Sequence, residues 1–514
     1  MSVQNTPYVP KLPAALGWLL AGVVVLGYGY LGLSTVLPDF GGDNAAYWLT
    51  AQGWSPWQPP STLAQDFARA STYPPLYPLL LAWAGGAASL QAAHTVTVAM
   101  LLAGFIALWW FARRAGLDGL AAAGVTLTFA CLHVVRREGL DLHSEPLYLL
   151  LTMLALGLAL RLRAAPHALT ALLLGLAVAG ALLTRSCGVV LLLAVAMTGL
   201  RERRREWGLA LVPGGLAMLV NALQQHSQHR YMAEFLGNYA GAGTFHTLLG
   251  NLLKVPTSWA GAIAGNAPWP GAVLILGLFG LAAIAAAGWR TRQGHLDGPY
   301  ALLYVTLVVV WPYPVETVRL FMPYLGLAIA QICLAARDIW DCRKTLPWRQ
   351  LWWLPLIFAL GDTAGFVGRL MVPVPPDLTP YRRSTYWQEA ELGDALLGIG
   401  LQGAADRALA ELPKQVPEAA CVLAIKPAVV AALGKRISRP PPPIALDKEE
   451  FSTALQTGGC DYALLMAMVS PSYPQPLYPA SRLPQRLQAI AEYPNAVDPS
   501  QPALVLVKIL PPTP

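Results

Sequence analysis

Charge is scarce in this chain. Only 12% of its 514 residues are Asp, Glu, Lys or Arg, against about 25% in an ordinary soluble domain. That scarcity excludes a soluble globule of this length. No Cys/His spacing resembles a zinc site, and there is no dense acidic cluster, so no obligatory metal or other cofactor is expected. No basic stretch is interleaved with aromatics in the manner of a single-strand binder, so the formal net charge of +7 does not point to nucleic acid. The first apolar run has no small-residue cleavage site behind it and reads as an uncleaved span.

What remains is hydrophobic. Apolar residues make up 55% of the chain, and the mean hydropathy is +0.47. A bilayer core takes about 20 apolar residues per helix. Eleven runs approach that length: 13–35, 90–112, 118–134, 144–162, 168–184, 186–200, 207–223, 270–289, 298–312, 318–336 and 351–371. Segment 75–89 is shorter and Gly-rich, and leads obliquely into the second run. Alternate loops carry the basic residues, among them Lys11, Arg113, Arg114, Arg161, Arg163, the RERRRE run at 201–206, Arg290, Arg292 and Arg337. By the positive-inside rule these face the cytoplasm, with the N-terminus. An odd number of spans then puts everything after about residue 372 on the outer face. The expected fold is a polytopic α-helical membrane protein of about eleven transmembrane helices, 1–371, with a small α/β domain, 372–514, outside.

Three outer segments stand out. Loop 36–74 holds Asp43, Tyr47, Trp48, Trp54 and Trp57 and reads as an amphipathic interfacial helix, because Tyr and Trp favour the headgroup level. Loop 224–269 holds His226, His229, Arg230, Tyr231, Glu234 and His246 and is long enough to serve as a lid. In the tail, PVPPDLTPYRRS reads as a linker, GLQGAADRALAELPKQ as a helix, and PPPP at 440–443 as a stiff connector. ACVLAIKP, PAVVAALGKR and DYALLMAMV form a strand–helix–strand unit with a parallel pair. Cys421 and Cys460 open those two strands and are candidates for a disulfide.

The residues suited to chemistry gather at the outer ends of the spans. Asp43 follows the first span and two glycines, about one turn before Tyr47. Glu145 opens the fourth span just ahead of a proline, where the helix dipole favours a carboxylate. Asp141 and His143 precede it in the same phrase. Arg136, Arg137, Arg185 and Arg319 sit at span ends; their planar forks suit phosphate. Each also has a bland reading: the carboxylates as loop or cap residues, the arginines as snorkelling side chains. Asp362, inside the last span, has Arg369 two turns away as an expected partner.

In order, GGDNAAYWLTA, YPPLYPLLLAW, SEPLYLLLTMLAL, LTRSCG and RLFMPYL resemble motifs of the membrane-embedded GT-C glycosyltransferases. The likeness is to bacterial relatives of protein O-mannosyltransferases and lipid A aminoarabinose transferases, over roughly residues 13–335. The resemblance implies a GT-C-like fold in the bacterial inner membrane and a sugar carried on polyprenyl phosphate. It implies transfer to an acceptor hydroxyl (of a glycan, lipid or protein) on the outer face, with inversion. Asp43 would then be the general base, with Glu145 beside it at the catalytic centre. Substrate would be met by Tyr47, Tyr73, Arg136, Arg137, Asp141, His143, Arg185 and Arg319. The chain departs from the family at Asn44, where Glu is common, and at Tyr73, where some members have Lys. Two other readings stay open: a transporter or flippase, which would place polar residues at mid-membrane, and a scaffold that binds through its C-terminal domain.

Overall fold

A helix occupies each of the eleven apolar runs. The structure is a computed structural model, and it describes residues 14–33, 43–59, 61–71, 73–224, 244–265, 268–311, 317–340, 351–388, 391–440, 459–466, 487–500 and 502–510. In chain order the helices are α1 (Ala14–Gly32), α2 (Asn44–Trp54), α3 (Thr62–Ala70), α4 (Leu76–Trp83), α5 (Leu90–Arg114), α6 (Gly119–Cys131), α7 (His133–Leu140), α8 (Glu145–Ala164), α9 (Ala168–Thr184), α10 (Val189–Glu202) and α11 (Arg205–Gln224). They continue as α12 (Thr244–Ala264), α13 (Pro270–Arg292), α14 (Asp297–Val309), α15 (Thr317–Leu320), α16 (Met322–Trp340), α17 (Trp353–Leu370), α18 (Leu392–Gln415) and α19 (Pro427–Gly434). Among the described residues five helices (α5, α8, α11, α13 and α16) are individually long and apolar enough to cross a membrane. Apolar stretches of α1, α9 and α14 are shorter. The chain is a multi-pass membrane protein.

Local signals explain where the helices start. Ser89 and Asp118 accept the third N–H of α5 and α6, as N-cap side chains do. Pro146 and Pro270 stand in the first turns of α8 and α13. At one end of the bundle, arginines bond the carbonyls at helix ends. Arg201 reaches Thr291 O (2.7 Å) and Arg292 O (2.8 Å), and Arg337 reaches Gly116 O (2.7 Å). Cations there complement the helix dipoles, and the loops concerned are those predicted to share one face.

The third run, 118–134, does not continue straight. Leu132 has extended backbone (φ −63°, ψ 142°), and α6 and α7 meet at a 64° bend. Helix α7 therefore turns across the end of the bundle, carrying the polar phrase HVVRREGL. The main core is built from α5, α6, α8, α9, α14 and α16, around Phe111, Phe129, Tyr148, Tyr300 and Tyr324.

Two expectations change. Helix α2 is not an amphipathic surface helix: Asn44 to Ala51 are all buried, because α3, α4 and α19 cover it. In the long loop, residues 225–243, with His226, His229, Arg230, Tyr231 and Glu234, lie outside the described residues. The remainder is not a lid loop but the 21-residue helix α12, whose Asn251 amide donates to Val309 O and Trp311 O beyond the end of α14.

The segment 372–388 is packed rather than a free linker. Residues Pro376–Arg383 form a 3-10 helix, and Trp387, fully buried, joins Phe366, Leu378 and Ile399 in one cluster. Beyond α18 comes a five-stranded sheet of β1 (Cys421–Ala424), β2 (Ile437–Arg439), β3 (Tyr462–Met466), β4 (Leu487–Pro494) and β5 (Pro502–Ile509), in the order β2-β1-β3-β5-β4. Strand β1 pairs in parallel with β2 and β3, with Val422 opposite Tyr462. The predicted parallel pair is thus present, extended by β2 and by an antiparallel β5–β4 edge. Residues 441–443 of the PPPP connector lie outside the described residues.

Cys421 and Cys460 are disulfide-bonded, with Cα atoms 4.6 Å apart. The bond closes a loop with a sequence separation of 39; such links contribute about 2–4 kcal/mol. Two predictions follow for the sheet domain. Alkylation of the denatured chain should label two fewer cysteines before reduction than after it. Cys421→Ser should lower the stability of the sheet domain by about that amount; an unchanged thermal midpoint contradicts it.

Candidate active site

Two helix starts that would ordinarily be capped have their side chains turned elsewhere. Asp43 is the N-cap residue of α2 but makes no capping hydrogen bond, although Asp at that position usually accepts an N–H. Its carboxylate instead accepts from the Tyr73 hydroxyl at 2.8 Å and faces Arg319 Nη1 at 3.5 Å. Ser144 is the N-cap of α8 and likewise caps nothing. Its hydroxyl takes a hydrogen bond from Arg185 Nη1 (3.1 Å) and lies 3.3 Å from the Tyr47 hydroxyl.

Glu145, on the first turn of α8, is the anchor between the arginines. Its Oε1 lies 2.6 Å from Arg185 Nη1 and in contact with Arg319 Nε, while Oε2 accepts from Arg319 Nη2 at 3.4 Å. The Glu145 side chain is 1% exposed and that of Arg319 14%, whereas Asp43 is 32% exposed. The network is thus sealed on the Glu145 side and open at Asp43. Glu138 on α7 adds a third carboxylate, 3.7 Å from Arg319 Nε, 3.7 Å from Arg137 Nε and 2.9 Å from His143 Nδ1. Below Asp43 the rings of Tyr47, Tyr73 and Tyr77 pack at 5.0 Å centroid spacings, and the Tyr77 hydroxyl bonds Thr97 at 2.8 Å.

These neighbours set the charge states. Burial pushes the Asp43 carboxyl up, but Arg319, then Lys426, the Tyr73 hydroxyl and His143 outweigh it and hold the group below its ordinary range. Asp43, followed by burial, raises Tyr73 well above an ordinary phenol. Burial and Arg319 push His143 down, yet Glu138 and Glu145 leave it above its ordinary value of 6.5.

The structure brings together Asp43, Tyr47, Tyr73, Arg137, His143, Glu145, Arg185 and Arg319. Asp141 is buried in the same loop and acts electrostatically on Tyr77. Arg136 lies elsewhere. It contacts Asp362 and donates to Thr363 (3.1 Å) and Gln388 (3.1 Å), while His133 Nδ1 is 3.2 Å from Asp362. Adjacent residues on a helix point about 100° apart, so Arg136 and Arg137 serve different clusters. The partners of Asp362 are therefore Arg136 and His133 on α7, not Arg369 two turns along its own helix.

The structure also holds an apolar cavity of about 430 Å³, lined by none of the residues of the arginine network. It lies between α12, α13 and the start of α16, lined by Trp259, Leu274, Leu281, Phe321 and Tyr324 among others. Phe321 is two residues from Arg319 in sequence.

No protein-family model and no curated protein sequence matches the chain. Solved structures do. ArnT from Cupriavidus metallidurans in the apo state superposes with a TM-score of 0.52 at 13% identity, covering 97% of this chain and 100% of that one. ArnT bound to undecaprenyl phosphate gives a TM-score of 0.51 at 13% identity over 98% and 100% of the two chains. The archaeal oligosaccharyltransferase AglB from Archaeoglobus fulgidus, in complex with an inhibitory peptide and a dolichol-phosphate, is more distant, with a TM-score of 0.47 at 12% identity over 88% and 69%.

The fold is shared with ArnT.

At the level of fold, the resemblance to GT-C membrane transferases read from the motifs therefore holds, and the ArnT likeness extends through the sheet domain. Three participants were missed by sequence reasoning. Glu138 and Ser144 lie inside the phrases RREGL and HSEP, and an acidic residue beside two arginines at the end of an apolar run was the available signal for the first. Lys426 had none, because it lies 107 residues beyond Arg319, the nearest site residue upstream.

Removing one partner of a buried ion network costs about 3–5 kcal/mol. Glu145→Ala should lower stability by that order in an unfolding measurement, and a loss below about 1 kcal/mol contradicts the anchoring role. The pH dependence has a definite sign. The raised His143 contributes stability that is full below pH 6.5 and lost as pH rises through its folded value. The thermal-midpoint gap between wild type and His143→Gln should therefore narrow as pH climbs past 6.5. A gap that widens with pH contradicts the Glu138–His143 pair.

Proposed function

We propose that this protein transfers a sugar from a polyprenyl-phosphate donor to an acceptor hydroxyl at the outer face of the bacterial inner membrane. In this reading all eleven apolar helices cross the membrane with the N-terminus cytoplasmic. The transferase module is 1–371 and the extracytoplasmic domain 372–514. The observation that carries the reading is the convergence at one end of the bundle. An open carboxylate and two guanidiniums on a buried carboxylate come together from segments spread over residues 43–319.

Each part has a task. Arg319 and Arg185, preorganised by Glu145, hold the donor phosphate, so that negative charge growing on the leaving oxygen meets cations already in place. The prenyl chain occupies the cavity at Trp259, Phe321 and Tyr324, which explains why the chemistry is embedded in a membrane fold. Asp43 takes the proton of the acceptor hydroxyl. The acceptor oxygen forms a bond to the anomeric carbon as the bond to the phosphate oxygen breaks, and the electron pair leaves on the polyprenyl phosphate. Attack opposite the leaving group inverts the centre. Arg319 also tempers Asp43: while it faces that carboxylate it weakens its basicity, and on turning to the phosphate it releases it. That ArnT has been solved with undecaprenyl phosphate supports the choice of donor. The clustering of polar groups at one end of the bundle favours this reading over a transporter, and their convergence favours it over a scaffold.

The test is release of free polyprenyl phosphate from a radiolabelled polyprenyl-phosphate sugar, by purified protein in nanodiscs with a mixed acceptor extract. Asp43→Asn should reduce release by about 10²–10⁴-fold, the usual contribution of a general base. Wild-type turnover by a folded Asp43→Asn protein sinks the assignment. Since arginine supplies the charge stabilisation, no metal is obligatory in this reading, and turnover should persist in EDTA.

A further inference from the structure

The sheet domain is docked onto the element that carries Asp43. Helix α19 packs on α2, and its Ala431 and Ala432 share an apolar cluster with Tyr47, Trp48 and Leu49. Ala45, two residues before Tyr47 on α2, lies in the sheet domain's own core with Leu409, Val422 and Val430. Two helix starts are thereby brought together: Asp43 heads α2, and Lys426 heads α19. Lys426 follows β1 by two residues, is half-buried, and acts on the Asp43 carboxylate electrostatically, second among the cations after Arg319.

The placement is directional. Arg319 approaches Asp43 from the short helix α15, with Nη1 3.5 Å from the carboxylate. Lys426 approaches from the sheet domain. The other groups facing Asp43 are the Tyr73 hydroxyl ahead of α4 and His143 ahead of α8. On the reading proposed above, on which this inference rests, donor binding draws Arg319 onto the phosphate. Asp43 then loses its nearest counter-charge at the moment it must stay in place.

We infer that Lys426 is a positioning residue of the reaction site, delivered by the sheet domain as the second cation of Asp43, which keeps that carboxylate aimed when Arg319 turns to the donor phosphate. The sheet domain is then part of the active site and not an appendage. A hydrogen-bonding neutral side chain at 426 preserves the packing but not the field; Arg preserves both.

The test compares full-length wild type, Lys426→Gln and Lys426→Arg in nanodiscs. It reads equilibrium binding of undecaprenyl phosphate and the pH dependence of polyprenyl phosphate release. Lys426→Gln should bind undecaprenyl phosphate within about twofold of wild type, yet turn over about tenfold more slowly, with the acid limb of kcat/KM moved to higher pH. Lys426→Arg should restore rate and acid limb. A wild-type rate and acid limb in Lys426→Gln overturn the inference. Lost undecaprenyl phosphate binding in that variant also overturns it, since it makes Lys426 a phosphate ligand. If Lys426→Arg is as slow as Lys426→Gln, the role is packing and the inference fails. A wild type that neither binds undecaprenyl phosphate nor releases it is a different result: it removes the reading of the site, and the inference falls with it.

Discussion

A guanidinium held among three carboxylates is the constraint on which the rest depends. Arg319 touches Glu145 and Glu138 and faces Asp43, with only 14% of its side chain exposed. Taking such ions out of water costs several kcal/mol each. The arrangement persists only where the geometry is imposed from outside the network. Helix α8 imposes it by starting at Glu145, α7 by turning 64° across the bundle end, and α9 by ending at Arg185. The bends and caps of this fold are, in that sense, set by its polar end, while the apolar middle supplies the rigidity that keeps them in register.

The same constraint orders the proposed function. An ion network that is mutually satisfied when empty must exchange partners when a phosphate arrives, and a phosphate can replace a carboxylate at a guanidinium because both accept its fork. Glu145 is sealed and stays. Asp43, the exposed member, is the one released. In the proposed function that asymmetry makes three similar carboxylates an anchor, a buttress paired with His143, and a base.

Much of this was legible in the sequence. Each of the eleven apolar runs holds helix because an apolar composition persists along its length, although five of the described helices are individually long and apolar enough to cross a membrane. Asp43, Tyr73, Glu145, Arg185 and Arg319 were visible because a polar residue at the edge of an apolar run stands out. What could not be read depended on rotation and docking. Arg136 and Arg137 look equivalent in sequence, but the step of about 100° between neighbours on α7 sends the first to Asp362 and the second to Glu138. Helix α12 reads as a loop in the sequence because Lys254 and Pro256 interrupt its apolar pattern. The burial of α2 and the approach of Lys426 come from a sheet domain packed on by long-range contact, which periodicity does not encode.

The most direct measurement of the central claim is the affinity of undecaprenyl phosphate for wild type and for Arg319→Lys in nanodiscs. The lysine keeps a cation among the carboxylates but removes the planar fork. If Arg319 is the phosphate's principal partner, affinity should fall about tenfold or more while the thermal midpoint stays near that of wild type. Equal affinity in a folded Arg319→Lys protein would contradict the account.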